Sequence, residues 1–371
     1  MESGQNLATA PPRTPARKGV TSQTAAYFLC FTLVGVLSAM LGPSLLVLAE
    51  RSGGAPGDLG LLFTVDSFGS VCGSLLAGWL LGRFATHLQA ALALAGIIAL
   101  MLILPLLTRP AALLPAWWAL GLCKTFLIVT VNTLLVRERR GTVGPFMNVA
   151  DFFLGLGSLL MPVAIALSLR ATGHLVPAYW AGAVLAVILL VWLLRMLPGP
   201  SATVDRPRAP DSSDRRQRWV LPLVAAMLFV YVGAEISFAG WLPAYVADRG
   251  LTDATADAAY FTALFWIAVT AGRLLWAPLA GRYAPERLLT VAFTGCAAVL
   301  TVLFGLASPT LASITAGTIA FGLFMAPVFP SAFTLLEKRV GVSGKASAVC
   351  LCTASVGAMF FPWLVGSLLI F

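Results

Sequence analysis

The chain has 371 residues, of which 59% are hydrophobic and 11% charged, and its formal net charge is +9. Ordinary soluble domains carry roughly 45–50% apolar and about 25% charged residues. So little polar surface, with apolar stretches of about 18 residues or more recurring along the chain, excludes a soluble enzyme, a nucleic-acid binder or a disulfide scaffold and requires an all-α polytopic membrane protein.

Residues 1–24 are polar and Pro-rich with no apolar core before Ala25, which reads as a cytoplasmic tail and not a cleavable signal. Apolar spans follow at 25–49, 58–82, 88–107, 112–136, 142–169 and 175–196, an N-terminal six-helix bundle over 25–196. Residues 197–218, LPGPSATVDRPRAPDSSDRRQR, are rich in Pro, Ser and Arg and read as a flexible cytoplasmic linker. Five further spans, 219–246, 255–281, 288–306, 310–336 and 344–371, form a C-terminal five-helix bundle over 219–371. The total is eleven transmembrane helices. Gly and Pro within them are tolerated because neighbouring helices satisfy the freed backbone groups. The cysteines, Cys30, Cys72, Cys123, Cys296, Cys350 and Cys352, all lie in apolar segments and read as small packing residues.

Orientation follows from the basic residues. With the N-terminus in the cytoplasm, the cytoplasmic segments hold eighteen of the 24 Lys and Arg. The opposite loops hold Arg51, Arg109, Arg170 and Arg249, and Lys124 and Arg273 lie within helices. This asymmetry, which also explains the positive net charge, places the N-terminus inside and the C-terminus outside a plasma or inner membrane.

The two halves repeat. GSLLAGWLLGRFA (73–85) aligns with GRLLWAPLAGRYA (272–284) at an offset of 199. At offsets of 198 to 201, Val34-Gly35 matches Val232-Gly233, Gly121-Leu122 matches Gly322-Leu323, and Gly157 and Pro162 match Gly357 and Pro362. Both halves begin on the same side, so the repeat is parallel, with its axis along the membrane normal. Position 371 corresponds to the end of the fifth helix of the first half, so the sixth helix (175–196) has no counterpart.

Two parallel halves, a long charged linker and a Gly/Arg turn after helices 2 and 8 resemble the major facilitator superfamily of secondary transporters, here lacking a twelfth helix. The family's loop between helices 2 and 3, roughly G-x-x-x-D-R-x-G-R-R, is matched by Gly78 and Arg83, while Gly82 stands at the acidic position and Thr86 and His87 at later basic ones. Gly281 and Arg282 are the second-half counterparts, and the resemblance implies a gating role for Gly78, Arg83, Gly281 and Arg282. The segment YVGAEISFAGWLPAY (231–245) and Arg273 look like the fucose-permease-like branch, although Lys124 stands where that branch carries a carboxylate.

Five ionisable residues lie well inside apolar spans: Asp66, Lys124, Asp151, Glu235 and Arg273. Each costs about 2.5–3.5 kcal/mol at mid-bilayer, so they must face water, one another or a substrate. The family fold would set all five on helices lining a central cavity. Glu235 stands mid-membrane beside Tyr231, Ser237 and Trp241. A carboxylate in a cavity that alternately dries and wets takes up and releases a proton, which makes Glu235, or Asp151, the expected proton carrier. Lys124, Arg273, Asp66, Tyr231 and Trp241 join Glu235 as substrate-binding candidates. Bland alternatives stand beside these: Lys124 with Asp151 as a permanent ion pair, Arg273 as a tie between helices, Asp66 as a bridge near the surface, and Trp241 as ordinary packing. Trp117, Trp118, Trp219 and Trp363 read as interface anchors.

The function expected is a secondary transporter, proton-coupled and working by alternating access, for a small polar solute such as a sugar or organic acid. A drug or metabolite exporter and a non-transporting truncated homologue are the alternatives. Nothing points to catalysis, a cofactor, a metal or nucleic acid. The expected partners are the solute, H+ and the lipid bilayer, around a monomer.

Overall fold

The computed structural model describes residues 21–81, 83–138, 143–196, 219–252, 254–305, 309–340 and 344–368. Most of the 1–24 tail and the whole of the 197–218 linker lie outside them, as does Gly82. The helices are α1 (Ser22–Ser38), α2 (Leu41–Ser52), α3 (Leu61–Leu80), α4 (Thr86–Ile103), α5 (Pro110–Glu138), α6 (Val143–Thr172) and α7 (Val176–Arg195). After the linker come α8 (Val220–Asp248), α9 (Thr255–Ala280), α10 (Pro285–Gly305), α11 (Leu311–Met325), α12 (Val328–Val340) and α13 (Gly344–Leu368). Among the described residues, ten segments are long and apolar enough to cross a membrane unbroken, and α1 with α2 forms an eleventh, bent by 41°.

Prolines set the breaks. Pro43 cannot donate to the carbonyl four residues back, at Ala39, and α1 ends at Ser38. Pro330 does the same to Ala326, dividing α11 from α12 inside one span. The face at which α1 begins is called the near face here, and the face at which α2 ends the far face.

The repeat read from sequence reappears as helix crossings. In the first half α1 packs on α6 and α3 on α5; in the second α8 packs on α13 and α9 on α11. Glycine stands at each crossing. A Cβ on Gly35 would lie 2.0 Å from the Leu154 carbonyl, and one on Gly157 1.9 Å from that of Thr32. In the other half a Cβ on Gly233 would lie 2.2 Å from the Phe361 ring, and one on Gly357 2.0 Å from the Phe229 carbonyl. Gly73 and Gly121 close the α3–α5 crossing, and Gly272 and Gly322 the α9–α11 crossing, with the same intolerance of a side chain. Small residues allow this backbone approach, from which membrane helices draw much of their association.

The bundles meet through α6 on α9, α3 on α13, and α2 on α8. The first two pairs exchange under the repeat, as a rotation relating the halves requires. The halves differ at their outer layer. About 50% of the apolar stretch of α4 is buried against 22% of that of α10, because α7 covers α4 and no described helix covers α10 in the same way. Trp117, expected at the interface, is 1% exposed in the core, whereas Trp219 is 79% exposed.

Candidate functional site

Three neighbouring helices of the two bundles contribute the central charged group. Glu235, midway along α8, is 8% exposed, and the Tyr231 hydroxyl one turn earlier donates to its Oε1 at 2.8 Å. Tyr231 is itself buried, with its ring 6.5 Å from that of Phe329. The cation for this pair comes from the next helix. Arg273 of α9 is near enough for its charge to act on Glu235, on Tyr231 and on Asp151. Asp151 belongs to α6 of the other bundle and is exposed.

Local packing explains the meeting. A Cβ on Gly155 of α6 would lie 2.9 Å from Thr270 Oγ1 of α9, so the two bundles touch there. Asp151 is one turn nearer the near face on α6, and Arg273 three residues nearer it on α9. The charge of the guanidinium thus acts on a carboxylate of its own bundle and on one of the opposite bundle.

The second charged group corrects the pairing of Lys124 with Asp151. Lys124 Nζ donates to Asp66 Oδ2 at 2.8 Å and to Oδ1 at 3.2 Å, and the two side chains are 11% and 17% exposed. The reason is the α3–α5 crossing: a Cβ on Gly121 would lie 2.0 Å from the Asp66 carbonyl, so the backbones touch one turn from Lys124. Asp151 is on α6, which packs on α1 and α9. Asp66 is thus a direct partner of Lys124 within one bundle and not a bridge at the surface.

Trp241 is set apart from the Glu235 group. Its Nε1–H donates to the Pro362 carbonyl at 2.8 Å, its ring lies 5.8 Å from that of Phe63, and it packs against Gly60 and Gly366 toward the far face. Several buried side-chain polar atoms of the described residues have no hydrogen-bond partner, among them Asn132 Oδ1 on α5 and Ser237 Oγ on α8, neither of which is among the binding candidates named from sequence. An amide inside an apolar span was the available signal for Asn132.

The turns after α3 and α9 are alike. Arg83 N–H donates to the Leu80 carbonyl and Arg282 N–H to that of Leu279, each at 3.0 Å. Arg83 lies 4.1 Å above the Trp79 ring. A Cβ on Gly78 would meet nothing within 4 Å, and one on Gly281 only the Pro278 carbonyl at 3.8 Å. The near face is further tied by Tyr27 to His87 at 3.1 Å, Arg137 to Thr86 at 2.9 Å and Arg339 to Glu286 at 2.8 Å. On the far face Arg170 of α6 pairs with Asp257 of α9, between bundles.

Comparison with known proteins agrees with this architecture. The chain is 25% identical to sodium-dependent glucose transporter 1 of Xenopus laevis over 358 residues, 89% of this chain and 72% of that one. It is 29% identical to a glucose/galactose transporter of Brucella abortus over 274 residues, 70% of this chain and 65% of that one. The crystal structure of a mutant nucleoside transporter NupG superposes with a TM-score of 0.71 at 15% identity, over 94% of this chain and 90% of that one. The sequence model of the Major Facilitator Superfamily matches residues 27–362, and the chain belongs to that family.

Proposed function

We propose that this protein is a proton-coupled secondary transporter that moves a small neutral polar solute, a sugar before an organic acid, by alternating access. The observation that carries the reading is that Arg273, beside the α6–α9 contact where the bundles meet, acts by its charge on Glu235 of its own bundle and on Asp151 of the other. A buried carboxylate that shares its cation with an opposing one couples its own protonation to how the bundles sit. With Glu235 protonated, Arg273 is released toward Asp151 and draws the near-face halves together. With Glu235 ionised, the guanidinium returns and the near face parts.

A neutral solute is favoured by the occupancy of the cations. Lys124 is taken by both oxygens of Asp66, and the charge of Arg273 is balanced by the nearby carboxylates Glu235 and Asp151. Both cations thus have carboxylates of the protein to balance them without an anionic solute, and burying an unpaired charge is expensive. The relatives named for glucose and galactose transport support the same choice. Hydroxyl groups of a sugar suit Asn132 and Ser237, whose buried atoms lack partners.

The positive-inside asymmetry makes the near face cytoplasmic and the 197–218 linker cytoplasmic, between bundles of 25–196 and 219–371. Glu235→Gln in proteoliposomes tests the coupling. Accumulation of labelled glucose or galactose driven by a pH gradient is abolished, while exchange of labelled for unlabelled sugar persists. Retained accumulation with unchanged pH dependence would remove Glu235 as the carrier.

A further inference from the structure

Six residues toward the far face form one connected apolar contact across the bundle boundary. Gly42 of α2 meets Gly240 of α8 so closely that a Cβ on Gly42 would lie 2.7 Å from the Gly240 Cα. A Cβ on Gly240 would lie 2.6 Å from the Phe63 ring of α3. The adjacent Trp241 fills the space between Gly60, which leads into α3, and Gly366 of α13; Cβ atoms there would lie 3.2 Å and 2.5 Å from its Cζ2.

The two sides of this contact are held differently. Trp241 is fixed to its own bundle, because its Nε1–H donates to Pro362 of α13 and α13 is the principal partner of α8. Toward Gly60 and Phe63 of the other bundle it presents only ring surface. The indole therefore stays in place when the bundles part, and separating it from Gly60 and Phe63 breaks no hydrogen bond of its own. Toward this face the side-chain hydrogen bonds between the bundles are, among the described residues, Thr64 Oγ1 to the Met359 carbonyl at 3.0 Å and Arg170 to Asp257.

Resting on the alternating-access reading above, we propose that Trp241 is the fixed face of the far-side gate, onto which Gly60, Phe63 and Gly42 dock when that side closes. The glycines are what permit closure. A side chain at Gly42 meets backbone, which cannot yield, and holds the gate apart. Removing the indole leaves Gly60 and Phe63 without a surface to close on.

The test is a distance across the gate. Spin labels are placed at Ala55→Cys and Asp248→Cys, on exposed far-face positions of opposite bundles, in the full chain with its six native cysteines replaced. Pulsed electron resonance of the purified protein in nanodiscs gives the populations. The parent shows one short distance, with a longer one as a minor state of roughly 10% or less. Gly42→Leu makes the longer distance the major population, and Trp241→Ala raises it severalfold. Unchanged distances in Trp241→Ala, with helical content intact, overturn the proposal even where Gly42→Leu does not fold. Sugar uptake by the parent separates the two readings. Widening in the variants without parental uptake supports the gate and removes transport; parental uptake with unchanged distances removes the gate alone.

Discussion

Lys124 and Asp66 show how the cost of a charge in the membrane is met within one bundle. Breaking a buried ion pair by removing one partner costs about 3–5 kcal/mol, whereas replacing both with apolar groups is often close to neutral. With side chains 11% and 17% exposed, this pair falls in the buried class. Lys124→Ala and Asp66→Ala should therefore each lower thermal stability in detergent by that order, and the double variant should be more stable than either. A double variant as unstable as the worse single one would show that the pair does more than neutralise itself. Because both residues move with one bundle, the double variant also separates stability from gating. Glu235 belongs to the other category, since the cation that acts on it, Arg273, also acts on Asp151 across the bundle boundary.

Helix crossings are the level at which sequence and structure agree best. Gly35, Gly73, Gly121 and Gly157 pair with Gly233, Gly272, Gly322 and Gly357 in the repeat, and all eight stand where a Cβ would meet a neighbouring helix closer than 3 Å. Matching glycines at nearly one offset, 198 to 201, thus recorded a matching geometry. Gly157→Ala and Gly357→Ala should each cost roughly 1–3 kcal/mol of stability through overpacking, while Gly78→Ala, inside α3 with open space around it, should cost nothing and stabilise by up to about 1 kcal/mol; thermal unfolding of the three variants checks the ranking. Equal losses at all three would mean that crossing geometry does not set the effect, since helix propensity alone favours Ala over Gly. Span positions were legible for the same reason, as hydropathy reports where backbone must be satisfied internally. The pairing of charges was not. Lys124 and Asp151 are 27 positions apart and Lys124 and Asp66 are 58 apart, and only the choice of crossing partner, fixed by where α3 and α5 carry glycine, decides between them. The same limit applies to Trp241, whose nearness to Glu235 along α8 said nothing of Gly60 and Gly366 closing around its far side.

At the scale of the whole molecule the far face is held shut in two ways, and their strengths differ. The Arg170–Asp257 pair spans the bundles, but its side chains are 55% and 37% exposed. Exposed pairs contribute about 0–1 kcal/mol, and salt at about 1 M contracts the screening length to roughly 3 Å. The contact around Trp241 is buried, with the indole 3% exposed, and does not depend on salt in this way. Since 1 kcal/mol is about a fivefold change in a population ratio, Arg170→Gln should raise the far-open fraction by no more than about fivefold at low salt. The rise should disappear at about 1 M salt, where the unsubstituted pair is itself screened. Trp241→Ala should give the larger shift, and the same shift at both salt concentrations. Spin-label distances between positions 55 and 248 measure both variants on one scale. An Arg170→Gln effect exceeding that of Trp241→Ala, or persisting in high salt, would assign the closure of this face to the ion pair. The ranking also bears on rate: a gate closed by apolar contact parts without stripping a charge of its partner, which suits a boundary that opens and closes in every cycle.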